Sequence, residues 1–266
     1  MNPLHPSTPL AWRQGRAAPA ERMLAEEVPV ALTYGRATYA VMLATPADLE
    51  EFATGFSLSE GIIDAASEIA ALEVLEVPGG IELRMELAAD RQARLDARRR
   101  RLAGFGGCGL CGMESLAEVL HRPSGPTPDP DWRIAAMELA AGIAALPAHQ
   151  VLNRAARAVH AAGFLLPGHG IVAAAEDVGR HNALDKLAGK LTRAGIAPVG
   201  GAVLLSSRVS VELVQKAVRL GAPLLAAVSA PTALALRIAA DAGLTIAAIA
   251  RDDGFEIFTH PERIAL

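Results

Sequence analysis

The sequence predicts an α/β protein in two parts: a smaller N-terminal α+β domain, and a C-terminal domain whose helices cover both faces of a mostly parallel sheet. Three observations predict it. Past residue 170, short apolar runs alternate with amphipathic stretches, the mark of βαβ units. Before residue 122, β-like runs mix with helical ones. Between them, PSGPTPDPD (123–131) holds four prolines in nine residues, a run that neither continues a helix nor joins a central strand. The boundary falls there. It leaves a disordered, Pro-rich tail over 1–22, an N-terminal domain over 23–122 and the α/β domain over 132–266.

The elements follow in order. VPVALTY (28–34) and YAVMLAT (39–45) are strands joined at Gly35. Thr45-Pro46-Ala47-Asp48 starts a helix, with Thr45 as cap and Leu49, Phe52, Ala53 and Phe56 on one face. Residues 72–77 and 81–87 form a hairpin about Pro78-Gly79-Gly80. An Arg-rich helical stretch, 89–102, leads to a loop over 104–112 with five glycines in nine residues, expected to be mobile. Another helix begins near Met113. In the second part, helices are expected over 134–145 and 151–162. Strands follow at 170–175, 201–205, 223–228, 244–250 and 255–259. Helices start near His181, Ser210 and Pro231 between them. Right-handed crossovers then gather the helix-start loops on one edge.

Composition narrows the function. The chain has 266 residues, 52% of them apolar and 20% charged, enough for a real core and unlike a disordered chain. Aromatics at 4% argue against a base-stacking nucleic-acid platform, and a net charge of −4 argues against a general polyanion binder. No run reaches ~18 apolar residues, so no transmembrane helix is expected. The first twenty residues carry Arg13 and Arg16 but no apolar core of a secretory signal, so a cytoplasmic protein is expected. The two cysteines, Cys108 and Cys111, exclude a disulfide scaffold.

Chemistry concentrates in two places. The first is the edge where apolar strands open onto polar residues. Arg180 and His181 follow Glu176 and Asp177; Ser206, Ser207, Arg208 and Ser210 follow the next strand; Ser229 and Thr232, then Arg251, follow the last two. Ligands of open parallel sheets bind outside the carboxyl ends of strands, where helix N-termini offer free N–H groups to anions. Capping accounts fully for Ser210 and Thr232, but not for three arginines and a histidine at one edge. An anionic-ligand crevice is expected. Asp185 sits one turn after His181 and either orients the imidazole or forms a surface pair of little value; Lys186 follows it. His160, in a helical stretch, reads as structural.

The second place is the CxxC pair. It supplies two of the four ligands of a structural zinc site, and no second pair exists in the chain. A zinc deaminase would need HxE and PCxxC elements, where this chain has His169-Gly170-Ile171 and Gly107. A thioredoxin-like pair opens a helix after a strand, whereas this one sits in a glycine loop after a helix. A thiolate in such a loop can also carry sulfane sulfur as a persulfide. A following helix dipole and Arg98 to Arg101 would lower its pKa, although an arginine run is as readily a solvated face. Chemistry alone leaves redox and sulfur transfer open.

EDVGRHNALDK (176–186) closely resembles the motif of the formate dehydrogenase accessory sulfurtransferases, the FdhD family. TPADLEEFATGFSLSEGII (45–63), CGLCG (108–112), SSRVSVELVQKA (206–217), SAPTALAL (229–236) and FEIFTHPERI (255–264) resemble further segments in the family's order. The resemblance covers about residues 24 to 264 and departs at 156–160, at Ser207 and at Gly106-Gly107. It implies a sulfur carrier that takes persulfide sulfur from a cysteine desulfurase. The sulfur passes to the molybdenum or tungsten bis(molybdopterin guanine dinucleotide) of the formate dehydrogenase catalytic subunit, which is bound as a substrate. It implies a homodimer and a cytidine-deaminase-like larger domain; from composition, no nucleic-acid or membrane partner is expected. By motif, Cys108 carries the persulfide with Cys111 in support. Phe255, Glu256, Ile257, Phe258, Thr259 and His260 meet the cofactor, beside Arg180, His181, Asp185, Lys186, Ser206, Arg208, Ser229 and Arg251 of the crevice. The alternatives are a cofactor-holding chaperone and a dithiol oxidoreductase.

Overall fold

A computed structural model describes residues 1–103, 125–126, 129–251 and 253–266. Cys108, Cys111, their glycine loop and the helix expected from Met113 lie outside the described residues.

The first surprise is the N-terminus. The stretch expected to be a disordered tail forms a hairpin arm of four strands: β1 (Leu4–Ser7), β2 (Leu10–Arg13), β3 (Arg16–Pro19) and β4 (Arg22–Ala25). β1 pairs with β4 and β2 with β3, both antiparallel. The turn is Gln14-Gly15, with both residues at positive φ (49° and 79°), which matches the right-handed twist of a two-residue hairpin. Its prolines are tolerated because a two-stranded ribbon has free edges and not every N–H is needed.

Next comes a four-stranded sheet in the order β6-β5-β8-β7, from β5 (Val28–Tyr34), β6 (Ala37–Ala44), β7 (Ile69–Val77) and β8 (Gly80–Leu87). β7 and β8 form the expected hairpin, and β5 runs parallel to β8. Alternate residues Val30, Leu32, Tyr34, Leu83 and Met85 point inward onto Phe52, Ala53 and Phe56 of helix α1 (Leu49–Ser59). The helix begins later than the sequence suggests. Asp48, not Thr45, is its N-cap, in left-handed conformation and without a side-chain cap bond. Thr45 is buried and used elsewhere. Helix α2 (Ala89–Ala103) follows β8.

The C-terminal part contains β9 (Ile134–Ala135), α3 (Ala136–Ala145), α4 (Val151–Ala156), β10 (His160–Leu166), β11 (Gly170–Asp177), α5 (Arg180–Arg193) and β12 (Ala202–Leu205). It continues with α6 (Val211–Leu220), β13 (Leu224–Ala227), α7 (Ala233–Ala242), β14 (Thr245–Arg251), β15 (Gly254–Thr259) and β16 (Ile264–Ala265), which pairs with β9. The sheet order is β11-β10-β12-β13-β14-β15. Helices α5, α6 and α7 cover one face, and α3 covers the other.

The expected mostly parallel sheet is in fact mixed. Only β12–β13 and β13–β14 pair in parallel, while β10, β11 and β15 join antiparallel. The cause is the stretch read as one helix over 151–162. Arg157 adopts φ 55° and ends α4, and the chain enters a strand at His160. HAAGFLL has no β-branched residue, so its propensity favours helix, but tertiary pairing overrides it.

Helices α1 and α5 join the two parts. They cross closely at glycines: a Cβ on Gly55 would lie 1.7 Å from the Asp185 carbonyl oxygen, and one on Gly189 would lie 2.0 Å from that of Glu51. A buried polar seam accompanies this contact. Lys186 Nζ donates to Asp177 Oδ2 (2.6 Å) and to the Thr45 carbonyl (2.8 Å). Asp177 also accepts from the Thr45 N–H (3.0 Å) and from Asn182 Nδ2 (3.0 Å), which in turn donates to the Leu43 carbonyl (2.8 Å). One turn on, Lys216 Nζ bonds both oxygens of Asp185 (2.9 and 3.0 Å) and Ser59 Oγ (2.8 Å). Burial disfavours the Lys216 charge, but Asp185 and Glu60 outweigh it and hold the ammonium pKa above its ordinary value.

Candidate functional site

The carboxyl ends of β11, β12, β13 and β14 share one edge. β10 runs the opposite way, so its first residue, His160, pairs with Asp177 at that same edge. The N-termini of α5, α6 and α7 follow from the loops there, and the first turn of a helix carries N–H groups that have no partner within the helix. The loop after β12 is fixed to the loop after β13: Val209 N donates to Ala230 O (3.2 Å) and Thr232 N to Val209 O (3.0 Å).

His181, on the first turn of α5, is the centre of the arrangement. Its Nε2 lies 2.7 Å from Glu212 Oε2 and 3.3 Å from Ser210 Oγ. The expected His181–Asp185 pairing therefore does not form. Ser210 is the N-cap residue of α6 but makes no side-chain cap bond; its hydroxyl faces the imidazole instead. Thr232 does cap α7, accepting from Ala235 N (3.3 Å). The hydrogen bond from His181 holds the Glu212 carboxyl below its ordinary pKa.

Two further groups are specific to this edge. Arg180 Nε is buried and has no hydrogen-bond partner, an expensive state for a cationic donor. His160 stands close enough to Arg180 and His181 to feel both. Burial first, and then those two neighbours, push its pKa below 6.5. Ser206 is held to β10 by two bonds, its Oγ accepting from Ala161 N (2.8 Å) and its N–H donating to Ala161 O (3.0 Å). Arg208 and Ser229 are exposed on the loops. Arg251 folds back, donating from Nη1 to the Val228 carbonyl (2.6 Å) and the Ala250 carbonyl (2.7 Å). It follows a bulge at Ile249, whose φ of 54° is unusual for a β-branched residue.

Two sets of expected contact residues lie elsewhere. Asp185 and Lys186 are fully buried and bonded within the seam, so they position α5 and present nothing to a ligand. Phe255 to Thr259 belong to strand β15, antiparallel to β14, so the segment runs away from the edge and His260 follows its end. Phe255 and Glu256 start near it. Thr259 is buried at the far end, where its hydroxyl donates to Leu244 O (2.7 Å), and His260 Nε2 meets Ala240 O there (3.0 Å). Ile257 faces the α3 side of the sheet and Phe258 is exposed. Sequence reasoning missed Glu212 and set His160 aside as structural. The alternation of strand and helix could have flagged Glu212, since it lies in the first turn of a helix that starts at this edge.

A cavity of about 440 Å³ lies apart from these residues, along β11 between Asp48, His149, Leu152 and Lys190. Among the described residues, no three His, Cys, Asp or Glu side chains converge as metal ligands, and no helix is long and apolar enough to cross a membrane.

The arrangement suits a polyanion: oriented N–H dipoles, two histidines, and an arginine with an unused buried donor. Comparison with known proteins identifies relatives of the whole chain. The FdhD/NarQ family model matches residues 25–265. The chain is 50% identical over 259 residues to a protein of Agrobacterium fabrum named sulfur carrier protein FdhD, covering 96% of this chain and 94% of that one. Proteins of the same name from Brucella melitensis and Cupriavidus necator are 49% and 46% identical, over 96% and 95% of this chain and 94% and 87% of theirs. A crystal structure from Desulfotalea psychrophila, assigned as a formate dehydrogenase accessory protein, superposes with a TM-score of 0.78 at 25% identity, covering 99% of this chain and all of that one.

Proposed function

The chain belongs to the FdhD/NarQ family, and on that premise we propose that it is a sulfur carrier for formate dehydrogenase. The observation that carries the reading is similarity along almost the whole chain, at about half identity, to proteins named for that role. Cys108 takes the sulfur. Its thiolate attacks the outer sulfur of a persulfide on a cysteine desulfurase; the donor thiolate leaves, and Cys108 keeps the sulfane sulfur. Cys111 supports this step. The acceptor is the molybdenum or tungsten bis(molybdopterin guanine dinucleotide) of the dehydrogenase catalytic subunit, handled as a substrate.

The crevice is the place for the guanine dinucleotide end of that substrate. Arg180 and the N-terminus of α5 would hold its pyrophosphate, with Arg208 and Ser229 within the same edge. The buried, unpartnered Arg180 Nε supports this, because a bound anion would satisfy it. The three-layer C-terminal part fits a cytidine-deaminase-like frame put to a use other than deamination. A cytoplasmic homodimer completes the reading.

The test is mass spectrometry after incubation with cysteine and a desulfurase. A sulfane adduct is expected on Cys108 and absent in Cys108→Ala. No adduct on either cysteine, or full dehydrogenase activation by Cys108→Ala, refutes the carrier role. A second reading is a chaperone that holds the cofactor with the thiols incidental, which the unpartnered Arg180 Nε would serve equally well. Activation that survives loss of both thiols but not Arg180→Gln would select that reading.

A further inference from the structure

Helical spacing offers Asp185 as the carboxylate that orients His181, but Asp185 is taken up by Lys216 and Ser59 inside the seam. Glu212 stands in its place. It lies in the first turn of α6, and its Oε2 comes to 2.7 Å from His181 Nε2. Ser210 Oγ is 3.3 Å from the same nitrogen and, unlike Thr232 on α7, makes no cap bond with its own helix. A carboxylate is ionised at neutral pH and can only accept. The hydrogen in the 2.7 Å contact therefore sits on Nε2. In the neutral ring that leaves the lone pair on Nδ1.

The two ring nitrogens point in divergent directions, so Nδ1 is turned away from Glu212. Among the described residues Nδ1 has no hydrogen-bond partner, and the side chain is 25% exposed. The charged and titratable groups around it are Arg180 on its own helix, Glu212 on α6 and His160 at the start of β10. Asp177 of β11 acts in turn on His160, and Lys216 of α6 on Glu212. Among the described residues Glu212 is the one carboxylate within ion-pair distance of His181, and Arg180 Nε lacks an acceptor altogether. Donors outnumber acceptors in this cluster, which suits a site completed by an anion. A phosphate oxygen opposite a neutral Nδ1 would set lone pair against lone pair, so Nδ1 must be protonated to meet it.

We propose that Glu212 is a positioning residue: it holds His181 by Nε2 so that Nδ1 faces the ligand, and it balances the imidazolium that forms when Nδ1 takes a proton from solvent and donates to a phosphate oxygen. Binding of the phosphate and protonation of His181 are then one coupled event. The assignment rests on the crevice reading above and deepens it, since it names the group that makes this site sensitive to the protonation of its ligand partner.

Long-range proton–nitrogen NMR of the full chain tests it, with His181→Asn to assign the signals. At alkaline pH the free protein is expected to show His181 as the Nε2–H tautomer, and Glu212→Ala to release it to a mixture. Saturating inorganic pyrophosphate is expected to protonate Nδ1 and raise the His181 midpoint by about one unit, which is about tenfold tighter binding to the imidazolium form. In Glu212→Ala that rise is expected to fall by half or more. Should this variant fail to fold, Glu212→Gln keeps the shape without the charge and is expected to lose the same share of the rise. An Nδ1–H tautomer in the wild type overturns the proposal, as does a midpoint that falls or stays put with pyrophosphate bound. A Glu212 that only braces α6 against α5 would lower the urea midpoint of Glu212→Ala and leave tautomer and rise as in the wild type, which also overturns it. If the wild type binds no pyrophosphate, the crevice reading falls with the proposal. Absence of a persulfide on Cys108 removes the carrier role and leaves this assignment standing.

Discussion

Replacing Gly55 by alanine tests the α1–α5 crossing most directly. In an isolated helix the change would stabilise by about 1 kcal/mol, because glycine is the poorer helix former. Here the new methyl would sit 1.7 Å from the Asp185 carbonyl oxygen and 2.8 Å from Gly189 N, against the 3.4 Å at which ordinary contact begins. Both neighbours are backbone, so no side-chain rotation relieves the clash. The helices must part by about 1–2 Å, at an overpacking cost of roughly 1–3 kcal/mol. Parting also stretches the charged bonds among Ser59, Asp185 and Lys216, at roughly 1.5–3 kcal/mol for each one lost. The packing terms exceed the propensity gain, and a net loss of about 2–4 kcal/mol is expected. Urea unfolding should show it as a lower midpoint at unchanged slope. Gly200→Ala is the control, because its Cβ would meet only Leu166 Cδ1 at 3.8 Å; it should fall within about 0.5 kcal/mol of wild type. If Gly55→Ala is neutral or stabilising, the helices are not in the close register described.

Three more outcomes are expected. Lys216→Met strands Asp185 as a buried carboxylate and should cost about 3–5 kcal/mol, while the double variant Lys216→Met/Asp185→Leu should lose less than the single one; equal losses would show that no coupled pair exists. The His160 pKa is depressed in the fold, so the unfolded chain binds this proton first as pH falls. Its contribution to stability is present above pH 6.5 and declines as the pH drops from there toward the folded pKa, and denaturation of His160→Gln should show a flatter acid limb. Proton NMR should place the His160 midpoint below 6.5 and move it upward when pyrophosphate binds; an unmoved midpoint would separate the anion from this edge. Arg180→Gln should weaken binding of guanosine diphosphate about tenfold or more by calorimetry, with a shallower salt dependence, and unchanged affinity would remove Arg180 from the site.

The sequence exposes those parts of the fold where one residue pattern has one stable outcome. The β7/β8 hairpin follows from alternation about Pro78-Gly79-Gly80, and the buried face of α1 from the spacing of Phe52, Ala53 and Phe56. The strand–helix succession gathers the helix starts at one edge of the sheet, as the strand order has it. What stays hidden depends on partners distant in the chain. HAAGFLL reads as helix until β11 and β12 flank it. The arm reads as a disordered tail because its prolines outweigh a two-residue Gln14-Gly15 turn. Asp185 and Lys186 look like crevice residues because spacing gives the side of a helix they occupy only relative to its neighbours; α1, some 130 residues upstream, is what buries them. Glu212 can be placed at a helix start by the strand–helix alternation, but its pairing opposite His181 exists only once α5 and α6 lie side by side.

One helix, α5, faces two tasks within four turns. Its first residues lie at the edge proposed to take the anion; Asn182, Asp185, Lys186 and Gly189 then fasten it to the N-terminal part. A fragment carrying the C-terminal sheet alone would bare a glycine notch and leave Lys186 and Asp177 open to water on the side Thr45 now closes. The half that should hold the nucleotide therefore cannot be transplanted without the half that leads into the cysteines. Chimeras exchanged at the proline-rich linker should fold only when donor and recipient agree on both sides of the α1–α5 crossing.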